Sequence, residues 1–165
     1  MNKIIVTGGL GFIGSNLVKL LLKKNYYVIN IDKANYASNF YNVKNLHNNK
    51  NYKFIKASIN STNKIYSILK KYKPKGILNL AAETHVDRSI DSPKPFVDNN
   101  INGLFSLLEA VRRYKNTIKD IKLVHISTDE VFGDVLIGRS NENHQYKPSS
   151  PYAASKAASD HLVSS

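Results

Sequence analysis

Tyr152 and Lys156 stand four residues apart. On a helix that spacing puts a phenol and an ammonium on one face. A nearby ammonium favours the tyrosinate and lowers the phenol's pKa, so the pair could exchange a proton with an alcohol or sugar hydroxyl. The spacing alone is common, and a surface pair is its plainer meaning. Its position, after a predicted strand and beside Ser127-Thr128, argues for chemistry. Next to those hydroxyls come Asp129 and Glu130. Two acids at the end of a strand can divide the work of acid and base if their surroundings separate their pKa values. Solvated carboxylates in a loop are the alternative.

Near the start, Gly9-Leu10-Gly11-Phe12-Ile13-Gly14 fits G-x-G-x-x-G, after a strand and opening a helix. Such glycines permit a tight turn and let the backbone approach a pyrophosphate, which the helix N-terminus then favours with free amides and a positive dipole end. Asp32 ends the next strand about 20 residues on, where an acid bonds ribose hydroxyls and repels a 2′-phosphate. The expected cofactor is NAD in preference to NADP. A cofactor site and a proton-transfer site in one chain indicate redox enzyme chemistry.

The elements that must position these groups alternate. Strands are expected at Lys3 to Thr7, Tyr27 to Ile31, Tyr52 to Ile55, Gly76 to Ala81 and Ile121 to Ser127. Helices are expected at Phe12 to Lys24, with a stripe through residues 13, 17, 20, 21 and 22, and at Lys64 to Tyr72, stopped before Pro74. Another is expected at Phe96 to Tyr114, striped through Ile101, Leu104, Leu108 and Val111. Ser150-Pro151 opens a last one, with proline at its first position. The polar, Asn-rich stretch from Tyr36 to Asn51 reads as loop with room for a short helix. This order implies an α/β fold with a doubly wound parallel sheet, Rossmann-like, and ligands at the carboxyl ends of the strands. Residues 1–165 read as one domain.

The chain has 165 residues, 42% of them hydrophobic and 22% charged, which is the balance of an ordinary soluble domain. No apolar run reaches membrane-spanning length, and the first 14 residues lack a basic lead-in, so a cytoplasmic location is expected. With no cysteine, disulfides and thiolate metal sites are excluded, and no metal is expected. The net charge is +12, yet the lysines are scattered, so the charge reads as attraction for anionic nucleotides and not as a nucleic-acid surface.

These residues resemble the extended short-chain dehydrogenase/reductase superfamily (the NAD-dependent epimerases and dehydratases), and within it the dTDP-glucose 4,6-dehydratase family. Thr7 to Ser15, Asp32-Lys33, Asn79 to Ile90, Ser127 to Gly133 and Ser150 to Lys156 carry the resemblance. Ala-Ala-Glu-Thr-His-Val-Asp-Arg-Ser and Ser-Thr-Asp-Glu-Val-Phe-Gly are its narrow signatures. Epimerases share the glycines and the tyrosine–lysine pair but usually lack the Asp129-Glu130 pair.

The resemblance implies roles. Tyr152 takes the sugar C4 hydroxyl proton, Lys156 holds the nicotinamide ribose and tunes Tyr152, and Thr128 bonds the same hydroxyl. Glu130 removes the C5 proton and Asp129 protonates the leaving C6 hydroxyl, with NAD recycled. Cofactor contacts are implied for Gly8, Gly11, Phe12, Ile13, Gly14, Asp32, Lys33 and Asn35. They are implied also for Ser58, Ile59, Leu80, Ala81, Ala82, Thr84 and Asn99, together with Tyr152 and Lys156. Thr84, His85 and Thr128 would approach a nucleotide-sugar substrate. Ser58 stands where the family commonly has an acid, and Asn99 where it has a threonine.

Family members run roughly twice this length, and their C-terminal subdomain holds the substrate's nucleotide. The expectation is therefore an N-terminal portion, truncated before that subdomain, with the Tyr152–Lys156 pair poorly held and a homodimer formed when completed. The alternatives are an NAD-binding protein without turnover, or a UDP-sugar epimerase-type member.

Overall fold

Short β-branched runs bounded by glycine, proline and polar residues can only be buried as strands if helices cover them. The computed structural model, which describes residues 1–116 and 121–165, has this arrangement. Five strands occur among the described residues: β1 (Lys3–Thr7), β2 (Tyr27–Asp32), β3 (Tyr52–Lys56), β4 (Gly76–Asn79) and β5 (Lys122–His125). They pair in the order β3-β2-β1-β4-β5, all parallel. In β1, Ile5 faces Ile29 on one side and Ile77 on the other. This is the doubly wound sheet the alternation implies, with its order reversing at β1 and β4. β4 and β5 are shorter than the sequence suggests, because Leu80, Ala81, Ile126 and Ser127 leave the ladder to line the space beyond it.

α2 (Thr62–Tyr72) and α5 (Gly103–Lys115) cover one face of the sheet. Ile65, Leu69, Leu104 and Leu107 meet Ile5, Ile29, Ile31 and Ile77 there, each all but excluded from solvent. Burying such a side chain contributes about 1.5–3 kcal/mol. α1 (Phe12–Lys23) lies on the other face, where Val18 meets Val6 and Val28. Gly14, Ser15 and Val18 are buried and Leu17, Leu21 and Leu22 of the expected stripe pack beside them, while Ile13 and Leu20 are exposed, so the buried face is turned somewhat from that stripe. The glycine of the turn, and not the larger apolar residues, takes the closest approach.

Between β2 and β3 the polar stretch forms a 3-10 helix, Phe40–Leu46. Two elements have no counterpart in the sequence reading. α3 (Val86–Asp91) forms inside the Thr-His-Val-Asp-Arg-Ser segment. Ahead of α5, a turn α4 (Lys94–Phe96) runs into a π-helical segment, Val97–Asn102. Its buried residue is Asn100, a polar side chain just ahead of the expected apolar stripe. α6 (Pro151–Ser164) starts as expected, with the Ser150 side chain accepting from Ala153 N and Pro151 at its first position. It packs against α3, α5 and the π segment.

Candidate functional site

All five strands end on polar residues at one edge: Thr7, Asp32, Lys56, Asn79 and His125. Beyond them opens a cavity of about 440 Å³. Its floor is the glycine turn. Gly8 takes φ +69°, and a Cβ there would sit 2.8 Å from Ala81 N, so the turn and the chain after β4 touch backbone to backbone. A Cβ on Gly14 would lie 2.2 Å from the Gly8 carbonyl oxygen. Only hydrogen fits at either place, and the N-terminus of α1 is thereby left bare toward the cavity.

Asp32, almost fully buried, ties this turn down. Its Oδ2 accepts from Leu10 N at 3.0 Å, and its Oδ1 accepts from Ala34 N at 2.8 Å and Ser38 Oγ at 2.7 Å. Lys33 leans away from it to Glu83 Oε1 at 2.6 Å and Asn99 Oδ1 at 2.9 Å. Glu83, 4% exposed, also accepts from Asn35 Nδ2 at 3.1 Å and Tyr36 OH at 2.9 Å. A carboxylate so buried must be paired, and removing a partner from such a pair costs about 3–5 kcal/mol. Glu83 was missed by the sequence reading, since its partners lie some fifty residues away.

Asn100 holds this acid in place from the π segment. Its Oδ1 accepts from Glu83 N at 2.8 Å, and its Nδ2 donates to Glu83 O at 2.9 Å and to Ser155 Oγ at 2.8 Å. Ser159 Oγ donates to the Asn100 carbonyl at 2.8 Å. The π turn thus joins the loop after β4 to α6. Ser89 Oγ of α3 adds a further link by accepting from Tyr152 N at 3.1 Å.

Tyr152 and Lys156 are therefore firmly held, at 7% and 3% exposed, against the expectation of a loose pair. Tyr152 packs edge-on to Phe96 and lines the cavity beside Ile126 and Ser127. Burial pushes its pKa up, the Thr128 hydroxyl opposes this, and the charges of Glu130 and Asp129 add to the rise. The expected lowering by Lys156 is not found in the free chain. The lysine head is turned away, donating to Ile126 O at 2.5 Å and meeting His125 Nε2 at 3.1 Å. Burial lowers the Lys156 pKa to about 8, against the pull of Asp160. Burial and the lysine charge lower that of His125 to about 4, again opposed by Asp160.

Every residue expected to contact a cofactor lines this one cavity. They come from the glycine turn (Gly8, Gly11, Phe12, Ile13, Gly14), the end of β2 (Asp32, Lys33, Asn35), the end of β3 (Ser58, Ile59), the end of β4 (Leu80, Ala81, Ala82, Thr84), Asn99 and α6. Ser127 of the Ser-Thr-Asp-Glu signature joins them, as do Ile31, Ala37, Ser38, Ala57 and Ile126, which no site pattern in the sequence marked. Thr128, Asp129, Glu130 and His85 stand outside the lining. Thr128 caps a 3-10 turn, Asp129–Phe132, with its Oγ1 accepting from Glu130 N at 3.3 Å, and both acids are exposed. His85 is the exposed cap residue ahead of α3. Among the described residues no group of acids and histidines could hold a metal ion, and no helix is long and apolar enough to cross a membrane.

Fold and cavity define a doubly wound α/β domain with one ligand site at its topological switch point. Residues 5–165 match the family described as GDP-mannose 4,6 dehydratase, and the chain belongs to that family. It is 46% identical, over 171 aligned residues, to the dTDP-glucose 4,6-dehydratase of Haemophilus influenzae, with 99% of this chain and 51% of that protein covered. The dTDP-glucose 4,6-dehydratase of Bacillus anthracis, solved in complex with NAD, superimposes with a TM-score of 0.86 at 40% identity, over 98% of this chain and 49% of that one. The Streptomyces venezuelae enzyme of the same name, also solved with NAD bound, gives 0.89 at 35% identity, over 97% and 50%. The chain spans about half the length of the curated relatives it matches.

Proposed function

We propose that residues 1–165 are the NAD-binding part of a nucleotide-sugar 4,6-dehydratase acting on dTDP-glucose. One observation carries the reading. A single cavity holds the glycine turn with Asp32 at one end and Tyr152 with Lys156 at the other, and the Asp129-Glu130 turn stands next to it. The cradle suits a dinucleotide: the bare helix terminus and the glycine turn would face its pyrophosphate, and Asp32 its adenosine ribose. The bound nicotinamide supplies a reversible hydride acceptor. Tyr152 would take the C4 hydroxyl proton as that carbon is oxidised. The resulting ketone acidifies C5, where Glu130 would remove the proton while Asp129 protonates the departing C6 hydroxyl, releasing water; C6 would then regain the hydride and C5 a proton, leaving the cofactor oxidised as at the start. Oxidation alone needs neither acid, which favours a dehydratase over an epimerase. The reading extends to a homodimer packed through α5 and α6, supported by the exposed Val97 and Phe105 on that side.

A chimaera tests this. Residues 1–165 replace the matching half of the Haemophilus influenzae relative, and dTDP-glucose is supplied with NAD. The 4-keto-6-deoxy product should form. Glu130→Gln should let the reduced-cofactor absorbance build up without product, and Tyr152→Phe should show neither. A folded, NAD-binding chimaera without product overturns the reading, and two variants that behave alike overturn the division of roles.

A further inference from the structure

Behind Lys156 runs a buried polar chain that the proposed chemistry does not use. Ala81 N donates to Thr7 Oγ1 at 3.2 Å, and Thr7 Oγ1 donates to Asn79 Oδ1 at 2.5 Å. Asn79 Nδ2 meets His125 Nδ1 at 2.9 Å, and His125 Nε2 meets Lys156 Nζ at 3.1 Å. Thr7 and Asn79 are excluded from solvent, so each hydrogen in the chain needs an acceptor inside the protein.

The direction of the chain follows from its far end. A backbone amide can only donate, so Thr7 Oγ1 accepts from Ala81, and the hydroxyl's own buried hydrogen finds its acceptor in Asn79 Oδ1. The amide of Asn79 then presents its NH2 to His125. A neutral imidazole has one donor and one acceptor nitrogen. Nδ1 is therefore the acceptor, and the ring's hydrogen sits on Nε2, aimed at Lys156. An ammonium there would oppose N–H to N–H. An amine accepts the ring's hydrogen and still donates one of its own to Ile126 O.

We propose that His125 is a positioning residue that favours the amine form of Lys156 over its ammonium, by donating its Nε2 hydrogen at the end of a hydrogen-bond chain that runs from the Ala81 amide through Thr7 and Asn79. The charged groups around the ring are few. Asp160 of α6 has Oδ1 3.9 Å from Nε2, and its Oδ2 accepts from Ser127 Oγ and from Tyr146 OH at 3.1 Å. Tyr152 lies one helical turn before Lys156, with the charges of Glu130 and Asp129 acting on it. β1 and β4 contribute only the uncharged Thr7 and Asn79. Asp160 favours the ammonium, and burial with the donating ring opposes it.

The consequence rests on the reading of Tyr152 as the base. A lysine amine one turn away, once its head swings from the Ile126 carbonyl to Tyr152, can take the phenol's proton, giving tyrosinate and ammonium with no change in net charge. When Lys156 gains a proton, Nε2 must become an acceptor, so the ring carries its hydrogen on Nδ1 and the Asn79 and Thr7 hydrogen bonds behind it rearrange.

The test uses the cofactor-free chain, so its outcome is independent of whether the protein is a dehydratase. Imidazole nitrogen shifts of chain labelled with 15N-histidine are followed by NMR from about pH 7 to about pH 10, with His125→Gln assigning the signal. The expected ring is the Nε2–H tautomer at high pH, and it departs from that state as Lys156, followed at its Cε, titrates near 8. A merely structural histidine would keep one tautomer throughout. Asn79→Asp supplies only acceptors, so it should turn the ring to Nδ1–H and raise the proton affinity of Lys156 at least tenfold. An Nδ1–H tautomer at high pH, or a ring indifferent to the Lys156 titration, overturns the proposal even if the variant fails to fold.

Discussion

Replacing Asn100 by leucine should be among the most damaging substitutions in this chain, although the residue lies on a helix and has no part in the chemistry. The side chain is 3% exposed and makes three hydrogen bonds, two to the main chain of Glu83 and one to Ser155 Oγ, at 2.8–2.9 Å. Leucine has the same branched outline and is somewhat larger, so no cavity opens. Each buried hydrogen bond contributes about 1 kcal/mol net, which makes about 3 kcal/mol for the three. The Glu83 amide and carbonyl are left without partners in a site closed to water, which raises the loss to about 3–5 kcal/mol. With a urea slope of about 2 kcal/mol per molar, the unfolding midpoint should fall by about 1.5–2.5 M. Urea titration followed by circular dichroism measures this. Ser155→Ala alone should cost about 1–2 kcal/mol, and less in the Asn100→Leu background, because one of the two bonds it removes is already gone. A midpoint shift under about 0.5 M for Asn100→Leu would mean that the π segment does not clamp Glu83 to α6.

Two further outcomes follow from the charges at the strand ends. NAD should bind at least about tenfold more tightly than NADP, a difference of roughly 1.4 kcal/mol, because Asp32 repels a 2′-phosphate and the Lys33 ammonium is committed to Glu83. Titration of both cofactors checks this, Asp32→Asn should narrow the gap, and equal or tighter NADP binding by the unsubstituted chain would remove Asp32 from its assigned place. His125 should make the fold acid-sensitive. Its pKa is about 4 in the fold against an ordinary 6.5, so between those values the unfolded chain binds a proton that the folded one does not. Stability contributed by the neutral ring is full above about pH 6.5 and falls by on the order of 3 kcal/mol as the pH drops toward 4. Denaturation midpoints measured across that range should slope less in His125→Gln than in the unsubstituted chain, and superimposable profiles would refute the assignment.

Much of the site was legible because its rules are local. The glycine turn, the acid at the end of the next strand and the Ser-Pro start of α6 each depend on backbone conformation or capping within a few residues, and such requirements leave their mark in the order of residues. The order of alternation likewise implied the parallel sheet and which edge would carry the ligand site. What the chain's order could not reveal were the interactions that close over long separations. Glu83 looked like one more residue of a signature until the fold brought Lys33, Asn35 and Tyr36 to it. Asn100 carried no signal in the sequence, and packing made it the clamp between the loop after β4 and α6. The pairing of Tyr152 with Lys156 was misjudged for the same reason. Helical spacing put both on one face, but the direction a lysine head takes depends on which acceptors the fold buries beside it. Here the Ile126 carbonyl and the His125 ring lie on β5 and just beyond it, thirty residues earlier in the chain. Local propensity set the elements, whereas desolvation and hydrogen-bond pairing, which exist only once the sheet has assembled, decided the protonation chemistry of the site.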